Sequence, residues 1–517
     1  MPQDNRTGVL ALGVAVLIAT LYYTRKKKKI VAPFPPGPRG LPILGNAADL
    51  PQSLPWLTFS RWAKEHGPIV HLRILGKSII ILNDVNYAID MLDKKSRVYS
   101  NRPNLVMGGT LVGWDEGPAL IQFGKTWSDY RRLMAQFLGT RSKVETAYND
   151  IFEKATHAYL CSLLQSPNMW KEHGYRFAGA IVLKIAYGYQ ADDHNDPLVK
   201  LVDEAMDQFS EMTAPNAFAV DVFPFLRFVP QWFPGASWKK KVGHYHKTLQ
   251  NMLDTPYEWV KKQMASYFAM GASISCVVSD LLDSNKSTGE EERLIKWAAA
   301  GIYSAVIETF FLALILHPDA QRKAQAELDT VLGHCTAPRL TDRPRLPFTD
   351  ALISEILRTY TIGPVGLPHV AAEDDVHEGF LIPKGAIIIT NNWLFYRDRN
   401  TYADPETFRP ERFMETASHV KEKDPKDILF GYGRSNGYIS SAISPSGVHL
   451  ADMTMWLLFT SILVFFDISP AIEDGKQVLP SGRFSDGSIS RPEQFNCTIT
   501  AKDGAEDSEF IARFSDL

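Results

Sequence analysis

The sequence predicts a mainly α-helical protein with a minor β region. Apolar residues recur with helical spacing from about residue 55 onward, for example over residues 57–66 and 319–332. Short β-rich runs interrupt this pattern at residues 69–74, 78–82 and 386–391. Because these runs are few and long helical stretches separate them, we expect helices to form most of the core and the sheet to be small.

The composition is that of a large globular chain. Its 517 residues are 45% hydrophobic, which is enough to bury a sizeable core, and the net charge of −3 gives no reason to expect a nucleic-acid partner. The four cysteines contain no CxxC pair, so a zinc site or a disulfide framework is not expected, and a reducing compartment fits best. They are Cys161, Cys276, Cys335 and Cys497.

The first thirty residues differ from the rest of the chain. Residues 8–23 carry no charge, and a basic run follows at residues 25–29. A straight span needs ~20 apolar residues, so this segment is slightly short but can cross a bilayer if flanking side chains reach toward the interface. The basic flank predicts a single N-terminal anchor over residues 1–30 with the remaining chain cytosolic. A cleaved signal peptide or a buried core helix are the alternatives.

A proline-rich segment follows the anchor. Pro33, Pro35, Pro36 and Pro38 cannot lie inside a helix, so residues 31–54 are predicted to be a stiff extended hinge before a body at 55–517. Three glycosylation sequons also occur, and with this orientation only the first would face the lumen. Their asparagines are Asn5, Asn285 and Asn496.

Five short motifs follow the hinge in a fixed order, and the spacing explains part of their chemistry. Glu355 and Arg358 are three residues apart, which places a carboxylate and a guanidinium on one face of a helix. Trp127 and Arg131 are four apart and share a face in the same way. In chain order the motifs are WSDYR at 127–131, EILR at 355–358, GLPH at 366–369, FRPERF at 408–413 and FGYGR at 430–434.

Together, the hinge and these motifs resemble a fungal-type microsomal cytochrome P450. The resemblance implies the fold of that family, with one large haem domain behind the N-terminal anchor in the endoplasmic reticulum membrane. It also implies a monooxygenase that uses haem b, O2 and electrons from an NADPH-cytochrome P450 reductase. A lipophilic small molecule of secondary metabolism or xenobiotic oxidation would be the substrate. Pocket residues are expected, by analogy alone, at 105–107 and 365–367.

The resemblance also assigns roles to individual residues. Arg412 would join Glu355 and Arg358 in a buried network, for which the planar fork of an arginine is well suited. Haem propionates would be held by Trp127, Arg131, His369 and Arg434. A core aromatic is the alternative for the tryptophan, and a structural histidine is the alternative for His369.

The haem loop departs from the family pattern, in which a cysteine thiolate binds the iron. Twelve residues, 435–446, separate Arg434 from Gly447, where the family has about four, and none of the twelve is a cysteine. The ligand position falls on Gly437 when the loop is aligned from the left, and near Ser444 or Pro445 when it is aligned from the right. Neither glycine nor an alcohol replaces a thiolate.

A second departure lies in the oxygen-activating helix. Glu308 and Thr309 match the acid and alcohol of the family motif only superficially, because the landmark at residues 317–319 follows about seven residues too early. We favour the interpretation that the true acid-Thr segment is missing and that this pair belongs to later turns. Both departures have sharp boundaries, which suggests misjoined exons. The alternative is a degenerate paralogue that acts, if at all, as a membrane-bound binding protein.

Overall fold

The computed structural model describes residues 32–192, 195–214, 217–269, 275–284, 292–293, 295–297, 305–429 and 445–505. The predicted anchor, residues 1–30, lies outside these ranges and stays a prediction. In the described part of the chain, long helices enclose the core and three small sheets lie at its margins, which confirms the predicted mainly α fold with a minor β region.

The α-helices supply most of the packed surface, and several begin at a proline, which fits the first helical turn because its N–H would be unpaired there. In chain order they are α1 (Pro55–His66), α2 (Val85–Ala88), α3 (Ser96–Tyr99), α4 (Lys125–Leu138), α5 (Arg141–Gln165), α6 (Trp170–Tyr187), α7 (Pro197–Thr213), α8 (Ala219–Val222), α9 (Trp238–Ala269), α10 (Val277–Ser284), α11 (Ala305–Leu316), α12 (Pro318–Val331), α13 (Pro347–Thr359), α14 (Asn392–Phe395), α15 (Lys426–Leu429) and α16 (Pro445–Phe465).

The strands form one four-stranded sheet and two smaller ones. The larger sheet has the order β1-β2-β6-β3, in which only the β2–β6 pair is parallel. The three β-rich runs found in the sequence supply β1, β2 and β6 of this sheet. The strands are β1 (Ile69–Ile74), β2 (Lys77–Leu82), β3 (His369–Val370), β4 (Asp375–His377), β5 (Phe380–Ile382), β6 (Ile387–Thr390), β7 (Phe466–Glu473), β8 (Lys476–Val478) and β9 (Cys497–Ala501).

The core is built around residues 453–465 of α16, all of which are buried. Phe459 of this helix stacks on Phe310 of α11 with 3.9 Å between ring centroids, and Trp456 has no exposed surface. Residues 447–465 are the one described stretch that is long and apolar enough to cross a membrane, but 72% of its apolar window is buried inside the protein. We therefore assign it to the core.

The proline-rich segment is bound to strands β1 and β5 from residue 33 onward. The amide of His71 donates to the carbonyl of Pro36 over 2.9 Å, and the amide of Leu381 donates to the carbonyl of Pro33 over 2.8 Å. Gly37 permits this approach, since a Cβ atom at that position would lie 2.0 Å from the carbonyl oxygen of His71. At least this part of the segment is therefore fixed to the body.

We expect Gly37→Ala to detach this segment and to lower the free energy of unfolding by about 1–3 kcal/mol, because the added methyl group cannot fit against a backbone carbonyl. Gly243→Ala is the matched control. Position 243 lies within α9 and has open space around its Cβ, so alanine there should leave stability unchanged or raise it slightly. Denaturant unfolding of both variants checks this, and equal midpoints would contradict it.

Candidate functional site

Glu355, Arg358 and Arg412 lie in contact with one another, and none of them has exposed surface. Arg358 meets the carboxylate of Glu355 with both Nε and Nη2, over 2.8 and 2.9 Å. Arg412 Nε donates to the same carboxylate over 3.2 Å. The EILR helix α13 and the turn at Pro410–Phe413 are thereby joined through a single buried carboxylate.

The remaining hydrogen-bonding capacity of Arg412 is also used. Its Nη1 donates to the carboxylate of Glu422 over 2.8 Å and to the carbonyl of Ala403 over 2.7 Å. Its Nη2 donates to the carbonyls of Asp404 and Thr407. Two guanidinium groups thus face two carboxylates with their donors paired, which is the condition under which charges can stay buried.

A second group of predicted site residues is formed by Trp127 and Arg131 on α4. The guanidinium carbon of Arg131 lies 4.7 Å from the ring centroid of Trp127, a cation–π contact on one helix face. Both residues are half-buried, and burial lowers the pKa of Arg131. The pair therefore presents a partly desolvated positive charge beside an indole N–H.

His369 is buried, and its hydrogen bond fixes its tautomer. Nδ1 lies 2.7 Å from the carbonyl of Tyr99, and because a carbonyl only accepts, Nδ1 carries the proton. Burial and the nearby charge of Arg102 hold the pKa of His369 well below its usual value. The ring is therefore neutral at physiological pH. Its unprotonated Nε2 points away from Tyr99 and can accept a hydrogen bond but not donate one.

Arg102 is a residue that sequence reasoning missed. It is 9% exposed, and its Nη1 donates to the carbonyls of Leu367 and Pro368 over 2.9 and 3.0 Å. Among the described residues, no carboxylate lies within ion-pair distance of it. Burial lowers the pKa of Arg102 to about 10, so it remains a cation at neutral pH. The sequence gives no signal for it, because a lone arginine before a proline is common in loops.

Gln122 connects Arg102 to the segment that enters α4. Its side-chain amide donates to the carbonyl of Arg102 over 2.8 Å, and the ring of the following Phe123 lies 5.2 Å from that of Trp127. We name Arg102, Trp127, Arg131 and His369 the anion cradle. It presents two cations on separate segments with no described carboxylate paired to Arg102, which suits the carboxylates of a ligand.

The cradle fits the propionate end of a haem, but the chain does not fit the iron end. The predicted ligand positions, Gly437 and Ser444, and the predicted propionate residue Arg434 lie outside the described residues, and that segment contains no cysteine. Burial raises the pKa of all four thiols elsewhere, that of Cys497 to about 12. Each contacts groups outside the cradle, for example Cys161, whose sulfur lies 3.3 Å from His157. No step through a thiolate-bound iron follows from these residues.

The two ends of the interrupted loop are nevertheless joined by charges that are mostly, though not fully, buried. Asp452 of α16 lies 2.9 Å from the ammonium of Lys426 in α15, and Arg343 donates to the same carboxylate over 2.5 and 3.0 Å. Burial alone would raise the pKa of Asp452, but Lys426 and Arg343 outweigh it and hold that pKa far below its usual range. We name these three residues the loop clamp.

Glu308 and Thr309 lie near the start of α11, but they face the helical core. The hydroxyl of Tyr175 in α6 donates to Glu308 over 2.7 Å, and Glu308 is 6% exposed. The preceding Ile307 packs against Gly174 of the same helix, and Thr309 is fully buried. The interpretation that the pair belongs to later turns of the family's helix stays a prediction.

The two expected pocket segments lie in different parts of the core. Met107 is fully buried, and its amide donates to Asp221 of α8 over 2.8 Å. Val365 packs instead with the apolar cluster beneath the larger sheet. Of the sequon asparagines, Asn496 is described and exposed, whereas Asn5 and Asn285 lie outside the described ranges.

Comparison with known proteins gives a consistent result. The family model described as "Cytochrome P450" matches residues 35–495. The chain is 41% identical over 500 residues to cytochrome P450 monooxygenase 208 of Postia placenta, covering 95% of each protein. It is 38% identical to cytochrome P450 monooxygenase claR of Ampulloclitocybe clavipes, covering 95% of this chain and 90% of that protein. For cytochrome P450 monooxygenase ppsD of Aspergillus oryzae the identity is 35%, with 93% and 91% covered.

We expect Glu355→Ala to leave two arginines buried without their shared carboxylate, which should cost about 3–5 kcal/mol of folding free energy. Glu355→Gln should recover only part of this loss. Glu473→Gln, at an exposed position, is the control and should behave as the unmodified protein. Denaturant midpoints of the purified variants test the expectation, which fails if Glu355→Ala and Glu473→Gln unfold together.

The loop clamp predicts a pH-dependent loss of stability in Asp452→Asn. The folded-state pKa of Asp452 is lowered, so its stabilising effect is present above the unfolded-state carboxyl pKa of ~3.9 and is lost as the pH falls below it. At neutral pH the variant should be less stable by about 3 kcal/mol, and the difference should shrink in acid. Unfolding curves across pH measure this, with the exposed Asp474→Asn as control. A difference that does not change with pH would contradict the prediction.

Proposed function

This chain belongs to the cytochrome P450 family, and we propose from that premise that its sequence derives from a membrane-bound monooxygenase acting on a lipophilic small molecule. The family uses haem iron, O2 and electrons from a reductase to insert one oxygen atom into an organic substrate. The fungal relatives, all monooxygenases, agree with a role in secondary metabolism.

The observation that carries the proposal is the complete buried network of Glu355, Arg358 and Arg412. A buried charge cluster of this kind persists only when all its partners are in place, because each unpaired charge is costly. In the family it belongs to the framework of the haem domain. Its integrity, together with the anion cradle, supports descent from a working enzyme.

The two departures from the family are local. One departure is a loop without a cysteine, and the loop clamp joins the segments on either side of it. The other is a sequence segment that is shorter than in the family and that precedes the apolar part of α11. We therefore infer that misjoined exons explain this sequence better than gradual decay, which would also erode the buried network. The second candidate function, a catalytically impaired binding protein, is favoured by the absence of a cysteine from the loop.

Membrane association has support beyond the apolar N-terminus. Four aromatic side chains between α8 and α9 are exposed by half or more, far above what a soluble surface normally shows in one place. Aromatic residues of this kind, next to basic residues such as Lys239 and Lys240, suit the interface of a bilayer. We propose a single-pass protein of the endoplasmic reticulum with a cytosolic body, reduced by NADPH-cytochrome P450 reductase. The four are Phe225, Phe228, Trp232 and Phe233.

Sequencing the transcript across codons 297–318 and 430–451 tests the origin of the two departures. Reads that restore an acid-Thr segment and a cysteine-containing loop support the monooxygenase. Reads that reproduce the present sequence favour the binding protein instead.

Replacement of residues 435–446 by the four residues Arg-Ile-Cys-Pro tests the framework directly. We expect the reduced, CO-treated protein to acquire the red-shifted Soret band of thiolate-bound haem, because the new loop supplies the thiolate and the loop clamp holds its two ends together. Turnover should stay low while the acid-Thr segment is missing. The same replacement with serine for cysteine is the control. If the cysteine version binds haem without that band, the flanks do not position the loop as proposed.

A further inference from the structure

We infer that the chain, as its sequence stands, binds tetrapyrrole dicarboxylates through their carboxylates alone, so that a metal-free porphyrin binds about as tightly as haem. This inference rests on the family assignment of the proposed function, but not on oxidation. It combines two features described above. The residues that suit the propionates of a haem are present, and the cysteine that would bind its iron is absent from the loop.

Arg102 supplies the first argument. A guanidinium that is 9% exposed has given up most of its hydration, and two backbone carbonyls restore only part of the lost interaction. The described residues offer it no carboxylate. An anionic group from a ligand would complete its pairing, and a planar fork binds a carboxylate by two parallel hydrogen bonds.

Arg131 supplies the second positive centre. It lies on α4, whereas Arg102 lies on the loop that follows α3, and Gln122 links the two segments. Trp127 beneath the guanidinium adds one N–H donor. Two cations on separate segments suit a ligand that carries two carboxylates, as a porphyrin with its paired propionates does.

His369 does not add a third charge. Its Nδ1–H is occupied by the carbonyl of Tyr99, and its ring is neutral beside Arg102. The charge that attracts a dicarboxylate is therefore concentrated on the two arginines, and the loss of Arg102 removes half of it.

The part of the chain that would bind the iron offers no interaction comparable to the two arginines. No cysteine occurs in residues 430–446. The four cysteines lie elsewhere, two buried and two half-buried, and burial raises the pKa of each thiol, which favours the protonated form that binds iron poorly. Without a thiolate ligand, the iron contributes little to the affinity for the ring.

The experiment uses the full chain in detergent micelles, titrated with haemin and with metal-free protoporphyrin by absorbance and tryptophan quenching. The two dissociation constants should agree within about threefold, and Arg102→Gln should weaken both by roughly 30-fold or more, since it removes one partner of a buried charge pair. Arg132→Gln is the matched control. Arg132 lies on α4 next to Arg131, its side chain is 72% exposed, and its replacement should leave both constants unchanged.

Two further probes keep the result decisive if Arg102→Gln folds poorly. Arg102→Lys retains the cation and should recover part of the affinity. Protoporphyrin dimethyl ester, which has no free carboxylate, should not bind the unmodified protein. No reductase or substrate is needed, so an absence of turnover leaves the inference standing.

Three outcomes would overturn it. Tight binding of haemin with none of metal-free protoporphyrin would show that a protein group ligates the iron. Equal affinity of the dimethyl ester would show that the carboxylates are not recognised. Binding of neither compound to a folded protein would show that the cradle does not hold a tetrapyrrole, and the spectrum of the cysteine-bearing replacement would still test the proposed function separately.

Discussion

The structure depends on one carboxylate. Glu355 is the common acceptor for Arg358 on its own helix and for Arg412 more than fifty residues later, and the backbone amide of Arg409 donates to it as well, over 2.7 Å. These bonds fix the approach of the PERF turn to α13. A buried charge network contributes less to net stability than its contacts suggest, because desolvation offsets the attraction. Its main effect is that few other arrangements of these segments can satisfy all the charges at once.

The same principle separates the buried network of Glu355 from the anion cradle. Arg358 and Arg412 are buried with carboxylates, whereas Arg102 is buried with carbonyls only. The first pair is complete without a ligand, and it belongs to the framework. Arg102 is incomplete without one, and it belongs to a site. Burial by itself does not distinguish the two roles, but the charge of the surrounding acceptors does.

The sequence predicted the framework well and the site only in part. Spacings of three and four residues are sufficient to place Glu355 with Arg358 and Trp127 with Arg131, since helix geometry fixes which side chains share a face. The contact between Glu355 and Arg412 spans fifty-seven residues, and only family resemblance suggested it. Arg102 could not be found, because its significance comes from the carbonyls of Leu367 and Pro368, which a different part of the chain brings to it.

Helix periodicity bears on the predicted loss of about seven residues ahead of Glu308. Seven residues turn an α-helix through nearly two full turns and leave a rotation of only ~20°. Removal of about that many residues would shorten the helix without turning its faces. Phe310 can therefore still stack on Phe459, and Ile307 can still meet Gly174.

The loop clamp has a consequence for how this chain tolerates change. Lys426 and Asp452 set the distance between the two ends of the loop, whatever lies between them. The entropy of closing a flexible segment grows only with the logarithm of its length, and each doubling costs ~0.6 kcal/mol. Growth of the segment from about four to twelve residues therefore costs on the order of 1 kcal/mol, which is less than we expect from the loss of Asp452. Selection on folding alone would hardly detect the longer loop, so a sequence can lose its iron ligand here while the surrounding protein stays intact.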